Sequence, residues 1–68
     1  MAGLRALIEA DLEANGPSTV AAITARVAPP SPSGAPRTAE VWRHVLAMAN
    51  RGQVVVEQDR RTVRLVQQ

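Results

Sequence analysis

The sequence has no cysteine and no lysine among its 68 residues. Because it lacks cysteine, disulfide bonds, thiolate metal sites and thiol nucleophiles are excluded. Its apolar runs are short, and none approaches the roughly 20 residues that a helix needs to cross a bilayer. The first residues also lack the basic head and long apolar stretch of a secretion signal. These absences predict a soluble cytoplasmic protein that does not bind a membrane.

Catalytic chemistry has few candidate residues. His44 is the only histidine, and the acidic residues Glu9, Asp11 and Glu13 fit the solvated face of a helix better than an acid–base pair. The four glycines are scattered at ends and turns, so no loop that would cradle a phosphate is present. The sequence therefore predicts a protein that is not an enzyme and that uses no metal, no cofactor and no small-molecule ligand.

The length predicts one small domain over residues 1–68. Such a chain buries only about 60% of its unfolded surface, so we expect a stability of a few kcal/mol. All eight cations are arginine. Residues 1–34 carry two of them against three acidic residues, and residues 35–68 carry six against three. This concentration suits nucleic-acid binding, although arginines also coat solvated faces.

Hydrophobic spacing predicts three helices, at about 2–14, 18–28 and 37–51. Ser18 or Thr19 is the expected cap of the second helix. A proline-rich loop at 29–36 separates it from the third, for which Pro36 fits the first turn and Thr38 is an alternative cap.

After Gly52 the apolar spacing changes from helical to alternating, which predicts a hairpin with strands at about 53–57 and 62–66 and a turn at 58–61. The expected fold class is α+β. Its predicted core consists of Leu4, Leu7, Ile8, Leu12, Val20, Ile23, Val27, Val41, Val45, Met48, Val54, Val56, Val63 and Leu65.

The third helix would present a polar surface opposite its apolar stripe. Arg43 lies at the centre of this surface, where its guanidinium can reach the O6 and N7 acceptors of a guanine. Arg37 and Thr38 near the start, His44 beside Arg43, and Arg51 at the end complete the candidate DNA-binding set. The alternative interpretation is an ordinary amphipathic helix with scattered arginines.

Trp42 and Leu46 lie four residues apart and share a helix face beside the apolar stripe. They either flank the core or form an exposed apolar surface for a partner. The hairpin adds Arg60 and Arg61 at its tip and Arg64 on its second strand, where they would follow a sugar-phosphate backbone.

The pattern Val41, Val45, Met48, Gly52 and Val54, followed by the charged turn and return strand 59–65, resembles the recognition helix and wing of winged helix-turn-helix DNA-binding domains. Residues 4–27 are similar to their first two helices, and the loop at 29–36 is longer than in typical bacterial members. The resemblance implies three helices followed by a two-stranded antiparallel wing.

That resemblance also implies sequence-specific binding of double-stranded DNA by a small transcriptional regulator, with helix 37–51 in the major groove and the turn 58–61 on the backbone. Such a protein would be nucleoid-associated. Because one unit covers a single half-site, we expect a weak homodimer or pairing on DNA. The alternative is a winged-helix module that binds protein within a larger assembly and does not bind nucleic acid.

Overall fold

The computed structural model describes residues 3–30 and 32–66, which form three helices and three short strands. The predicted helix start at residue 2 and position 31 of the predicted loop lie outside the described residues. The predicted α+β class is confirmed. In chain order the elements are α1 (Leu4–Asn15), β1 (Ser18–Thr19), α2 (Val20–Val27), α3 (Thr38–Asn50), β2 (Val54–Val56) and β3 (Thr62–Leu65).

The sheet has three strands in the described part of the chain, and the prediction of only two strands is wrong. The extra strand, β1, occupies the two residues at which the second helix was expected to begin. It pairs antiparallel with β3, which also pairs with β2, so the strand order is β1-β3-β2. The aligned residues are Ser18 with Val63, Thr19 with Thr62, Val54 with Leu65, Val55 with Arg64, and Val56 with Val63.

Local chemistry explains where the helices begin and end. Gly16 and Gly52 both have φ of +75°, a conformation that glycine adopts without a steric cost, and each follows the end of a helix. The Thr19 hydroxyl accepts a hydrogen bond from the Ala22 N–H (3.1 Å), so Thr19 rather than Ser18 caps α2.

The start of α3 differs from both predicted alternatives. Thr38 is the first helical residue, and Arg37 occupies the cap position without a side-chain capping bond. Pro36 precedes that cap and is therefore outside the first turn. Arg51 occupies the position after the last helical residue, so α3 is one residue shorter at each end than predicted.

The core lies between the three helices and one face of the sheet. Leu7 is 42% exposed, so its assignment to the core is wrong; it is turned away from the stripe that Ile8 and Leu12 present to α2 and α3. Leu4, Val27, Val56 and Leu65 are partly buried against the core. The buried apolar residues are Ile8, Leu12, Val20, Ile23, Ala28, Val41, Val45, Met48, Val54 and Val63.

An ion pair between a buried carboxylate and a more exposed guanidinium joins α1 to α2. Arg26 Nε donates to Asp11 Oδ1 (2.7 Å) and its Nη2 donates to Asp11 Oδ2 (2.9 Å) and to Ser18 Oγ (2.8 Å). Asn15 Nδ2 donates to the same carboxylate (3.2 Å). The interpretation of Asp11 as a solvated residue is therefore wrong, since only 8% of it is exposed. These bonds connect both helices to β1.

The neighbouring residues Ile8 and Leu7 provide a matched test of the core. Ile8→Ala removes a side chain with no exposure and should cost about 2–5 kcal/mol, enough to unfold most of so small a domain. Leu7→Ala should change stability by less than about 0.5 kcal/mol. Urea denaturation measures both, and equal destabilisation by the two variants would contradict this helix orientation.

The ion pair gives a second prediction. Arg26→Met retains most of the aliphatic side chain but leaves the buried Asp11 carboxylate without its bidentate partner, so the denaturation midpoint should fall. Arg5→Met removes the same charge from an exposed position of α1 and should leave the midpoint nearly unchanged. Identical midpoints for the two variants would show that the Arg26 bonds contribute no stability.

Candidate nucleic-acid interface

A hydrogen-bonded turn shapes the tip of the β2–β3 hairpin. The N–H of Glu57 donates to the Thr62 carbonyl and the N–H of Arg60 donates to the Glu57 carbonyl, both at 2.9 Å. Asp59 Oδ1 accepts from the N–H groups of Arg61 and Thr62, and its Oδ2 accepts from the Thr62 hydroxyl. The bond from the Thr62 N–H, followed by those from the Arg61 N–H and the Thr62 hydroxyl, holds the pKa of the Asp59 carboxyl below its usual value. The tip therefore has a defined shape at neutral pH.

Arg60 has a φ of +58° and is the only described residue other than glycine with a positive φ. Glycine adopts this conformation freely, whereas a residue with a Cβ atom is disfavoured there. A charged side chain thus occupies a position where glycine would be more stable. Such strain often accompanies a functional position, because the side chain is kept despite its conformational cost.

The hairpin tip forms one wall of a cleft of about 470 Å³. The other walls are the first residues of α2 and the start of α3, which contributes Thr38 and Trp42. A backbone hydrogen bond from the Val20 N–H to the Arg61 carbonyl (2.8 Å) joins α2 to the tip. The lining residues, none of which is acidic, are Thr19, Val20, Ala21, Thr38, Trp42, Arg60 and Arg61.

The electrostatics of this cleft favour an anion. Two arginines line it, and two helices begin at it, so the partial positive ends of both helix dipoles lie nearby. Backbone and hydroxyl donors at helix starts, together with arginines, are the groups that contact DNA phosphates. The cleft is open to solvent, as a site for an extended polyanion requires.

Two predicted DNA-binding arginines are engaged in ion pairs. Arg37 donates to both carboxylate oxygens of Glu40 (2.8 and 2.9 Å), and these hydrogen bonds raise the pKa of Arg37 and lower that of Glu40. Arg64 Nε donates to Glu57 Oε1 (2.6 Å) across the hairpin. Both arginines are therefore less available to an external anion than the sequence implied.

The remaining arginines of the second half are free of carboxylate partners. Among residues 3–30 and 32–66, the ion pairs use only Arg26, Arg37 and Arg64. Arg43, Arg51, Arg60 and Arg61 all have exposed side chains. Arg43 projects from the middle of α3, and Arg60 and Arg61 lie beside the start of this helix. Arg51 is separate from the cleft, because it follows the opposite end of α3.

His44 is half-buried, and its Nδ1 donates to the Glu40 carbonyl one turn earlier (2.9 Å). It borders a shallow surface depression with Glu40, Arg43 and Ala47. One ring nitrogen is thus used within the helix, which leaves Nε2 as the atom that can reach outward. In the described part of the chain, no group of three metal-ligating side chains comes together.

Trp42 and Leu46 have different environments. Trp42 is partly buried and packs against the core, which agrees with the interpretation that these residues flank the core. Leu46 is 42% exposed, which agrees with the alternative of an exposed apolar surface. The two line a groove between α3 and the hairpin, and Arg60 borders both this groove and the cleft. The other residues of the groove are Val56, Glu57 and Gln58.

Sequence reasoning did not identify Thr19, Val20 and Ala21 as part of a site. The capping role of Thr19 was readable from the sequence. A two-residue strand gives no alternating pattern, however, so the pairing that brings these residues beside Arg61 was not detectable.

No family model, no curated protein and no solved structure matches the chain significantly. None of the helices in the described segments has the length and apolar character needed to span a bilayer.

The conformation of Arg60 gives a testable prediction. Arg60→Gly should raise stability by about 1 kcal/mol, equivalent to about 4–8 °C in Tm, because glycine relieves the positive-φ strain. Arg60→Ala removes the same side chain but retains a Cβ atom, so it should give no such gain. Thermal denaturation by circular dichroism compares them, and equal Tm values for the two variants would contradict the strained conformation.

Proposed function

We propose that this chain binds double-stranded DNA as a small transcriptional regulator with a winged-helix arrangement. The observation that carries the proposal is the cleft in which unpaired Arg60 and Arg61 meet the starts of α2 and α3 with no acidic residue in the lining. A hairpin that follows the third helix is what the sequence resemblance implies, and the tip of this hairpin lies beside the first turn of that helix. The short strand β1 is compatible with a winged-helix arrangement, because β1 joins the hairpin to the start of α2.

In the proposed complex the cleft holds the sugar-phosphate backbone at the edge of the major groove. Arg60, Arg61 and the Thr38 hydroxyl contact phosphates, with the helix starts adding their partial positive charge. These contacts fix the position of α3, whose exposed Arg43 enters the groove and meets the base edges. Arg51 reaches a phosphate at the far end of the helix.

Arg37, His44 and Arg64 have secondary roles in this proposal. The Arg37–Glu40 pair keeps the Glu40 carboxylate, which phosphates would repel, neutralised by its neighbour. Arg64 neutralises Glu57 in the same way near the hairpin tip. His44 contributes at most its Nε2 atom at the edge of the helix surface. The proposed phosphate contacts therefore come from arginines without acidic partners.

A second candidate function is protein binding through the groove formed by α3 and the hairpin. The observation that favours it is the exposed Leu46 beside the half-buried Trp42 and Val56. The two candidates differ in salt dependence. Binding through arginine–phosphate contacts weakens steeply as salt rises, because counterions are released from the DNA, whereas apolar docking does not.

Arg61→Ala tests the proposed phosphate contact. Binding to a fluorescent duplex, measured by anisotropy between about 50 and 200 mM salt, should weaken, and the slope of log K against log salt should become shallower by about one. Arg5→Ala is the matched control, because it also removes one exposed positive charge but lies on α1. It should leave the slope unchanged.

Two results would contradict the proposal. One is that the wild-type protein does not bind duplex DNA even at low salt. The other is that Arg5→Ala and Arg61→Ala weaken binding equally, since this would indicate attraction to net charge rather than contact at the cleft. Circular dichroism of both variants confirms that each remains folded.

A further inference from the structure

The outer face of α3 carries more apolar than polar side chains. Five residues form this face, starting at Ala39 and ending at Asn50. They follow one another at steps of four, three, one and three positions, which places them opposite the buried Val41, Val45 and Met48 on the helix. All are exposed, and none is acidic. Together they comprise one cation, one amide and three apolar side chains: Arg43, Asn50, Ala39, Leu46 and Ala47.

Leu46 is the dominant apolar group of this face. It is 42% exposed although it lies one helical turn from Arg43, and it lines the groove that Arg60 also borders. Glu57, the one acidic residue of this groove, is paired with Arg64, whereas Arg43 and Arg60 form no ion pair among the described residues. An exposed leucine near these two arginines favours a partner that is both anionic and locally apolar. A duplex major groove fits this description where it presents the C5 methyl group of thymine between two phosphate backbones.

We propose that the outer face of α3 reads thymine methyl groups next to a guanine. In this arrangement Leu46, together with Ala47, packs against thymine methyls while Arg43 donates to the O6 and N7 atoms of the adjacent guanine. Asn50, near the end of the helix, matches the N6 and N7 atoms of an adenine. This inference depends on the proposed function, because it names the base chemistry that the same surface recognises.

Replacing thymine by uracil in a bound duplex removes the methyl group and leaves every hydrogen-bonding atom in place. Preferred sequences are first selected from a random 20-base-pair duplex pool, and the best is then synthesised with deoxyuridine at each thymidine in turn. Wild-type affinity should fall roughly fourfold for each contacted thymine, corresponding to about one buried methyl group. Leu46→Ala and Leu46→Gln should bind the thymine duplex more weakly and lose most of the difference between thymine and uracil, because Ala47 alone covers less of the methyl groups.

Leu7→Ala is the matched control, because Leu7 is also a leucine with 42% exposure on a helix but lies on α1. This variant should retain the full discrimination against uracil. Equal wild-type affinity for thymine and uracil duplexes would overturn this inference but leave duplex binding intact. Discrimination that persists in both Leu46 variants would overturn the role of Leu46.

The absence of binding to any duplex at low salt would overturn the proposed function and this inference with it. In that case, binding of an apolar peptide or protein that Leu46→Ala abolishes would identify the same face as a protein-docking surface. Variants at the exposed Leu46 should remain folded, which their Tm values verify.

Discussion

The geometry of the candidate site depends on the pairing of β1 with β3. The two residues Ser18 and Thr19 align with Val63 and Thr62, and the N–H of Val20 continues the contact by donating to the Arg61 carbonyl. Arg61 is thereby placed against the first residue of α2. Without this contact Arg61 would lose its backbone hydrogen bond to the start of α2, and we expect that Arg60 and Arg61 would no longer share a cleft with two helix starts.

The Arg26–Asp11 ion pair supports the same region from the side of the helices. Arg26 also donates to the Ser18 hydroxyl, so α1, α2 and β1 are joined at one guanidinium. The arginines of the chain thus fall into two groups, those in ion pairs and those without an acidic partner. Arg26, Arg37 and Arg64 neutralise carboxylates within the fold, whereas Arg5, Arg43, Arg51, Arg60 and Arg61 form no ion pair among the described residues.

Much of the fold could be predicted from the sequence because its signals were local. Helical spacing identified the stripe of Val41, Val45 and Met48, and Gly52 marked the change to strands. The misses have non-local causes. Leu7 matched the apolar spacing of its helix, but the rotation that buries Ile8 and Leu12 is set by packing against the other helices. Asp11 is buried because a partner fifteen residues away neutralises it.

The candidate site was predictable only in part for the same reason. The exposed Arg43, Arg60 and Arg61 were identified from charge and position, and the structure brings the last two together at the cleft. The ion pairs of Arg37 and Arg64 were not anticipated, although the three-residue spacing of Arg37 and Glu40 on one helix was a readable signal. The contribution of the α2 start required the long-range pairing of β1.

If the cleft and the outer face of α3 form one DNA-binding surface, a chemical-shift titration with duplex DNA at low salt should map both parts together. We expect the largest amide shifts on residues 19–21, on Thr38, Arg43 and Leu46, and on the tip at Arg60 and Arg61. Residues around Leu7 on α1 should shift little. No shifts at any DNA concentration, or shifts concentrated on the exposed side of α1, would contradict a DNA-binding surface at the cleft and α3.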